Sequence, residues 1–346
     1  MTELLLPIGL QASGKSTFSK GWVLEDPDAR IRASWDDARL ARYGKDWVWN
    51  RRDEEEMKTA VKGIVIAALK AGISVVVDNT NLSANVRKGW ENLARSLGAS
   101  YMEHDISTPI DVCVQRDRGR GDARVGQAVI DGTALQYGLL DWDGCTCARG
   151  ERIHSDMACR EPKPIIIVDI DSTIADDNGR LGHLDPMTRH APDCNALAED
   201  GLVKSADLVD FSDGSRCRVC NRRPSKDWGA YFAAVSDDTP IPQMVHLLER
   251  LSDHLIVLIS GRPVSNGATK VGILTEDWLL KHNIHFDRLF LKMRDFHQRS
   301  PDFKKGILEY LPKDRVKYVF DDDPLCAEMY RREGLYVLQP FHKGRG

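Results

Sequence analysis

Residues 164–173 read PIIIVDIDST, an apolar run that ends in alternating carboxylates. The four Ile and Val residues at 165–168 are typical of a strand buried in a parallel sheet. Asp169 and Asp171 follow at the carboxyl end of this strand, where open α/β sheets place their sites. On extended backbone two residues that are separated by one point to the same side. The stretch therefore predicts an α/β fold with an acidic site at the sheet edge.

The two carboxylates suit a phosphoryl transfer that passes through the protein. Asp169 is the predicted nucleophile and would form an aspartyl-phosphate. Asp171 is the predicted acid, which protonates the leaving alkoxide and then activates water. Thr173 is expected to orient Asp171. The alternative interpretation is that these carboxylates only cap the end of the strand. It is less favoured because further residues suited to the same chemistry follow other predicted strands.

A second apolar stretch, HLIVLI, is followed by Ser260, Gly261 and Arg262. These residues offer a hydroxyl, N–H groups and a guanidinium to phosphoryl oxygens, so they are predicted to bind substrate. A lysine further on would offset the charge of the nucleophile. Lys304 is preferred to Lys305 because the apolar residues that follow then fall on the opposite, buried stripe of a helix.

A third stretch, VKYVF, precedes the acidic run Asp321–Asp323. Magnesium prefers oxygen ligands, so these carboxylates predict a Mg²⁺ site. Asp322 is the first choice as ligand, together with Asp169 and Asp171.

The N-terminal region carries a second pattern, G-x-x-x-x-G-K-[ST], formed by Gly9, Gly14, Lys15 and Ser16. It lies between an apolar strand and a helix-like stretch, which is the context that a P-loop requires. The glycines let backbone N–H groups surround phosphates, Lys15 offsets their charge, and the Ser16 hydroxyl binds magnesium. Thr17 extends the first helical turn. This segment predicts a site for ATP or another nucleoside triphosphate.

The acceptor of a transferred phosphate is expected near the segment SWDDAR, residues 34–39. Asp36 is the predicted base for a hydroxyl, and Arg39 would grip a phosphate of the acceptor. Helix N-capping is the alternative for Asp36 and Asp37. Asp78 follows the strand SVVV and is predicted to contact metal-bound water or to organise its loop.

Three arginines recur at intervals of four, at positions 116, 120 and 124. A helix would align them as one basic ridge suited to phosphates. Gly119 and Gly121 suggest a flexible lid. An ordinary solvated helix face is the alternative.

Residues 1–140 resemble the 5′-hydroxyl kinase domain of the bacteriophage polynucleotide kinase/phosphatase family. In that family the P-loop, a D-D-x-R segment, a D-T-N-L-like segment and a basic lid occur in this order. The resemblance implies that Asp36 is the general base for a 5′-hydroxyl and that Arg39 holds the 3′-phosphate of the acceptor. It also implies that Arg116 and Arg120 contact the donor phosphates. Asn79, inserted between Asp78 and Thr80, departs from the pattern.

Residues 163–346 resemble the 3′-phosphatase domain of the same family, whose haloacid dehalogenase-like signature D-x-D-x-[TV] matches residues 169–173. The expected fold is thus α/β with two domains, a P-loop kinase sheet at 1–140 and a Rossmann-like phosphatase domain, joined by a connector at 141–162. The resemblance implies an enzyme that turns 3′-phosphate, 5′-hydroxyl ends of RNA or DNA into ends that a downstream ligase can seal. It also implies a phage-encoded protein in the host cytoplasm.

Composition agrees with two domains, since 346 residues exceed the usual single core. No apolar run is long enough to predict a spanning helix, and the first residues lack the basic segment of a secretory signal. The expected location is the cytoplasm, without a membrane partner. The net charge of −4 gives no global basic field, so nucleic acid would be bound by local arginine clusters. Oligomeric state is left open.

Six of the eight cysteines lie between positions 145 and 220. Cys217 and Cys220 have the C-x-x-C spacing of a zinc knuckle, with Cys194, His190 or His183 as further ligands. A second candidate set is Cys145, Cys147, His154 and Cys159. Free cytosolic thiols are the alternative. The cysteine-rich segment falls partly in a predicted insertion at about 178–228, interpreted as an added cap.

Two other functions compete with end repair. One is a P-loop kinase of a small molecule or modified base fused to a haloacid dehalogenase-like phosphatase, because many such kinases share the Walker motif and an acidic base. The other is an end-binding protein with inactive sites.

Overall fold

The computed structural model describes residues 2–44, 50–140, 142, 162–184, 226–293 and 298–340. The chain forms two compact units, one built mainly from residues before 165 and one mainly from residues after it. Among the described residues, the structure contains no helix with the length and apolarity needed to cross a bilayer.

The first unit is a parallel sheet with helices on both faces. Its strands lie in the order β2-β3-β1-β4, and all the pairs are parallel. In chain order its elements are β1 Glu3–Ile8, α1 Lys15–Leu24, β2 Arg30–Ala33, α2 Trp35–Tyr43, α3 Arg51–Lys70, β3 Ser74–Val77, α4 Ala84–Ser96, β4 Ser100–Asp105, α5 Ile110–Arg118 and α6 Gln127–Gln136.

Alternation along β1 decides which helices cover which face of this sheet. Leu4 and Leu6 pack with Val61 and Val65 of α3 and with Trp90 of α4 in one buried cluster. Leu5 points the other way, into a cluster that contains a tryptophan of α1. Because both faces are covered, β1 is apolar and buried from Leu4 to Ile8, and its carboxyl end opens at the sheet edge.

The other sheet has five strands, in the order β11-β10-β5-β8-β9. The pairs β5–β8, β5–β10 and β10–β11 are parallel, so the carboxyl ends of β5, β8 and β10 lie at one edge. In chain order the elements are β5 Ile165–Val168, β6 Ala175–Asp176, α7 Asn178–Leu181, α8 Trp228–Ala233, β7 Thr239–Pro240, α9 Pro242–Arg250, β8 Leu255–Pro263, α10 Val271–Lys281, β9 Arg288–Lys292, α11 Ser300–Leu308, β10 Val316–Phe320, α12 Pro324–Arg332 and β11 Val337–Leu338.

The central strand β5 explains why the motif lies where it does. Ile165 to Val168 are all buried, and the Asp169 N–H donates to the Phe320 carbonyl of β10 at 2.8 Å. The chain then leaves the sheet, and the short antiparallel pair of β6 and β7 brings residues 175–176 beside residues 239–240. This pair holds the segment after the acidic motif close to the sheet edge.

Candidate active sites

The P-loop pattern forms a phosphate-sized cradle between β1 and α1. Gly9 is required by close approach, because an added Cβ would lie 2.7 Å from Ser13 Oγ and 2.9 Å from the Ile106 carbonyl. Gly14 has φ of 108° and directly precedes α1, a conformation that favours glycine. The first N–H groups of α1, which have no partners within a helix, therefore face the loop and suit an anion.

Lys15 lies inside this cradle and is 7% exposed. Its ammonium donates to the Leu10 carbonyl and, at 3.3 Å, to Ser13 Oγ. Burial lowers the pKa of Lys15 to about 8, and nearby Asp78 works against the shift. A phosphate placed in the cradle would supply the countercharge that this lysine lacks.

The cradle opens into a pocket of about 720 Å³. Its walls bring together most of the predicted nucleotide-binding residues, namely Gly14, Lys15, Ser16, Thr17, Arg116 and Arg120. Gly9 lies in the loop beneath. The Arg116 guanidinium donates to the Ser13 carbonyl at 3.2 Å, which fixes it against the P-loop.

The predicted helical ridge of three arginines is wrong. α5 ends at Arg118 because Gly119 and Gly121 follow, and Gly121 has φ of 56°. The buried Asp117 carboxylate instead organises the turn, accepting from the Val125 N–H at 3.1 Å and the Gly126 N–H at 2.8 Å. The segment that was predicted to be a lid is a turn held by the Asp117 carboxylate. The sequence pattern did not predict this role of Asp117.

The predicted acceptor residues lie in the first turns of α2. Ser34, and neither Asp36 nor Asp37, is the N-cap, since its hydroxyl accepts from the Asp37 N–H. Asp36 remains 82% exposed at the side chain and pairs with Arg39. The alternative role of Asp36 as a helix cap is therefore not what the structure shows.

Arg39 is held by a residue that sequence reasoning missed. Its guanidinium donates to Glu54 of α3 through Nε at 2.9 Å and through a terminal nitrogen at 2.8 Å. Glu54 is 8% exposed, so this fork-shaped pair is largely removed from water. The other terminal nitrogen of Arg39 donates to Asp36, so the predicted base and the predicted phosphate-binding residue lie side by side.

Asp78 at the end of β3 is buried and accepts from Arg32 of β2 at 2.6 Å. Arg32 also bonds Asp37. Asn79, the residue that departs from the family pattern, accepts from the Trp35 N–H at 3.1 Å and so ties the start of α2 to the end of β3. This contact gives the departure a structural role.

The second candidate site lies where β5, β10 and α11 meet. Ligand oxygens of Asp169, Asp321 and Asp322 approach one another within 4.8 Å. The Lys304 ammonium lies 2.7 Å from Asp321 Oδ2 and 3.0 Å from Asp169 Oδ1. Its contact with Asp169 lacks the alignment of a hydrogen bond, so Asp169 Oδ1 has no hydrogen-bond donor among the described residues.

This crowding of carboxylates fits Mg²⁺. Burial raises the pKa of Asp169 to about 7, and Lys304 works against that shift. Burial alone would lower the pKa of Lys304, yet Asp169 and Asp321 raise it well above its ordinary value. Three carboxylates around one ammonium still leave excess negative charge, which a divalent cation with oxygen ligands would balance.

The choice between the two lysines is clear from burial. Lys304 is 2% exposed and lies in the carboxylate cluster, whereas the Lys305 side chain is 51% exposed and pairs with Glu333 at 2.9 Å. Lys304, the preferred lysine, is thus the one that contacts Asp169, but the reason for the preference is wrong. Leu308, four residues further on, is buried on the same helix face as Lys304 and not on the opposite one.

Asp171 is not part of the three-carboxylate group. Its carboxylate accepts from Arg262 at 2.7 and 3.1 Å and from Arg180 at 2.6 Å. Burial would raise the pKa of Asp171, but the two guanidiniums hold it well below its usual range. The predicted role of its side chain as a magnesium ligand is therefore not supported by this arrangement, whereas a proton-transfer role beside Asp169 remains compatible with it.

Two further predicted contacts differ from expectation. Thr173 is fully buried, and its hydroxyl lies 3.5 Å from Asp322 Oδ1; the pairs described for Asp171 are with arginines. Ser260 and Gly261 lie within β8, which continues to Pro263. The Ser260 hydroxyl is buried and accepts from the Arg262 N–H at 3.3 Å.

Arg180 and Asp238 are site residues that the sequence did not reveal. The Asp238 carboxylate accepts from Arg180 at 2.6 and 2.8 Å and from Arg262 at 2.9 Å. All three side chains are buried. Asp238 thereby anchors both of the guanidiniums that hold Asp171, and the two residues lie far apart in sequence without a recognisable motif.

The proposed zinc ligands cannot be placed in the same way. Cys194, Cys217, Cys220 and His190 lie outside the described residues, as do Cys145, Cys147, His154 and Cys159. His183 is described and follows α7 in a short 3₁₀ helix. Zinc therefore stays a prediction.

The two halves of the chain match two different protein families. Residues 4–138 match the AAA domain family, and residues 204–343 match the family described as polynucleotide kinase PNKP phosphatase domain. The second match begins after Asp169 and Asp171 and includes Ser260, Lys304 and Asp322.

Individual relatives are distant. An L-seryl-tRNA(Sec) kinase of Methanococcus maripaludis is 28% identical over 34% of this chain and 46% of its own length. A protein described as a bifunctional polynucleotide kinase/RNA ligase of Autographa californica nuclear polyhedrosis virus is 26% identical over 35% of this chain and 18% of its own length. The chain thus spans less than half the length of either relative.

Among solved structures, a chain of the Pnkp1/Rnl/Hen1 RNA repair complex aligns over 98% of this chain and 96% of its own, with 21% identity and a TM-score of 0.33. The family matches and the two site geometries agree on the domain types. The chain therefore joins a P-loop kinase domain to a phosphatase domain of the polynucleotide kinase, haloacid dehalogenase-like type.

Proposed function

We propose that the protein heals broken nucleic-acid ends, phosphorylating 5′-hydroxyl termini with ATP or another nucleoside triphosphate and removing 3′-phosphate from RNA or DNA. The observation that carries the proposal is the pairing, in one chain, of a P-loop site with a phosphatase domain of the PNKP type. The products would be the termini that a ligase joins. The virus protein named as a polynucleotide kinase/RNA ligase is consistent with this order of reactions.

In the kinase half, the residues divide the work between donor and acceptor. Lys15, the P-loop N–H groups and Arg116 would hold the donor phosphates, with Ser16 as a ligand of the accompanying Mg²⁺. Asp36, exposed at the start of α2, would accept the proton of the 5′-hydroxyl as the oxygen attacks the terminal phosphorus. The bond from that phosphorus to the bridging oxygen would break, and the nucleoside diphosphate would leave. Arg39 would bind the phosphate on the 3′ side of the acceptor nucleoside. Its guanidinium would leave Asp36 to do so, while Glu54 would continue to hold it.

In the phosphatase half, Asp169 would attack the 3′-phosphorus, and the bond from phosphorus to the sugar oxygen would break. Asp169, Asp321 and Asp322 would hold Mg²⁺, which when bound neutralises phosphoryl and carboxylate charge. Lys304 keeps its charge next to the nucleophile and would stabilise the same oxygens.

Asp171 would give a proton to the leaving sugar oxygen and take one from the water that cleaves the aspartyl-phosphate. Its low pKa means that it is ionised while Arg180 and Arg262 bind it. An incoming phosphate would compete with Asp171 for those guanidiniums. Weaker pairing of Asp171 with the two arginines would raise its pKa and so favour its protonated form. The buried anchor Asp238 would keep both arginines in place during this exchange.

The kinase assignment is tested by offering labelled ATP to a 5′-hydroxyl oligonucleotide, a nucleoside 3′-phosphate and a free nucleoside. We expect transfer to the first two, since both carry a 5′-hydroxyl and a 3′-side phosphate for Arg39. Transfer only to the free nucleoside or to another small molecule would support the competing small-molecule kinase.

A further inference from the structure

An exposed tryptophan stands at the start of α8. Trp228 is 38% exposed, whereas Tyr231 and Phe232 on the same helix are 5% and 4% exposed. The Trp228 ring packs edge-on against Tyr231 and is nearly parallel to Phe232, with 5.7 Å between ring centroids in both pairs. The indole thus packs against two buried rings while part of its own surface stays exposed.

A chain of contacts links this surface to the phosphatase centre. The Tyr231 ring lies 4.2 Å from the guanidinium carbon of Arg180, and Arg180 donates to Asp171 at 2.6 Å. The Tyr231 hydroxyl donates to Asp177 at 2.8 Å, and Asp177 accepts from Ser172, the residue next to Asp171, at 2.6 Å. Helix α8 is therefore held to the very segment that carries the acid.

The chemistry of the surface is that of a nucleic-acid contact. Every nucleobase has a π face that stacks on an aromatic ring whatever the sequence, and cations beside the ring suit the phosphodiester backbone. The exposed Lys226 supplies such a cation, with its ammonium 5.8 Å from the Trp228 ring centroid. Tyr231 and Phe232 already provide the packing of this helix, because they are buried with Val235 and Val271. Packing alone therefore does not account for the exposed Trp228.

We propose that Trp228 is a nucleobase subsite of the phosphatase half. The base of the 3′-terminal nucleoside stacks on Trp228 while its phosphate reaches Asp169, and Lys226 turns toward the neighbouring phosphodiester. The inference rests on the proposed removal of 3′-phosphate from nucleic-acid ends. It adds that the enzyme recognises the terminal base by its face, independent of base identity.

The test compares two substrates of the phosphatase, a 3′-phosphorylated oligonucleotide and p-nitrophenyl phosphate, which has no base. For Trp228→Ala, the ratio of kcat/KM for the oligonucleotide to that for the small ester should fall about 5- to 150-fold, the loss of one base-stacking contact. Trp228→Phe should recover most of the ratio. Tyr336→Ala is the matched control, because Tyr336 is an aromatic residue of the same unit with 65% exposure; its ratio should equal that of the wild type.

A second measurement needs no substitution. The wild-type enzyme should lose a similar factor when the terminal nucleotide of the oligonucleotide is abasic. Equal losses on both substrates in Trp228→Ala, or full activity on the abasic end, would show that the residue is structural and would overturn the subsite. The wild-type enzyme is assayed on both substrates before any variant is made. If it shows no preference for the oligonucleotide over the small ester, both the subsite and the proposed phosphatase function are overturned.

Discussion

Replacing Glu54 by Gln should impair the kinase while leaving the phosphatase untouched. Glu54 receives two hydrogen bonds from Arg39, at 2.9 and 2.8 Å, and its side chain is only 11% exposed. Glutamine keeps one acceptor oxygen but loses the charge, and it turns an NH₂ group toward the guanidinium. Arg39 then loses one charge-assisted bond, worth about 1.5 to 3 kcal/mol.

If Arg39 must be aligned in the transition state, that energy corresponds to a fall of about 10- to 150-fold in kcat/KM for a 5′-hydroxyl oligonucleotide. The loss should shrink on a substrate that has no phosphate for Arg39, such as a free nucleoside. Glu55→Gln is the control, because Glu55 neighbours Glu54 on α3 but its side chain is 64% exposed and pairs with Lys58 on the surface. Kinase activity of Glu54→Gln within twofold of wild type would refute the positioning role of the pair.

Three further outcomes follow from the same structure. Lys304→Met should abolish 3′-phosphatase activity with the kinase retained, whereas Lys305→Met should keep both; equal effects of the two would contradict the placement of Lys304 at Asp169. The pKa of Lys15, lowered by burial to about 8, predicts that the nucleotide-free site is partly deprotonated at pH 9, so nucleotide binding should take up protons at pH 9 more than at pH 7. Calorimetry in buffers of different ionisation enthalpy measures this uptake, and it should vanish in Lys15→Arg; equal uptake at both pH values in the wild type would be inconsistent with the shift. Asp238→Asn removes the carboxylate that Arg180 and Arg262 share with Asp171, and it should lower the free energy of unfolding by about 3 to 5 kcal/mol in denaturant titrations. The control Asp237→Asn changes an exposed residue and should cost about 0.5 kcal/mol. Similar costs for the two variants would contradict the anchoring role of Asp238.

The sequence predicted the parts of the sites that local patterns encode. The glycine spacing of the P-loop and the position of Asp169 directly after β5 follow from the local backbone of loop and strand. These features depend on residues close in the chain, which is why one sequence was enough.

Long-range partners were out of reach for the same reason. Asp238 meets Arg180 across 58 positions, and Glu54 meets Arg39 across 15, through the packing of separate elements. The arginine ridge failed because two glycines and the Asp117 carboxylate stop α5 before the second arginine, Arg120. Thr173 was expected beside Asp171 but lies close to Asp322, since the chain turns sharply within the motif, where Ser172 adopts φ of 55°.

The central claim is that two independent phosphoryl-transfer sites act on the two termini of a break. The most direct measurement is an end-labelled assay of both activities, on matched RNA and DNA ends, with Lys15→Ala and Asp169→Ala. We expect Lys15→Ala to lose 5′-phosphorylation and keep 3′-phosphate removal, and Asp169→Ala to show the reverse. Loss of both activities in either variant, or loss of neither, would contradict the account.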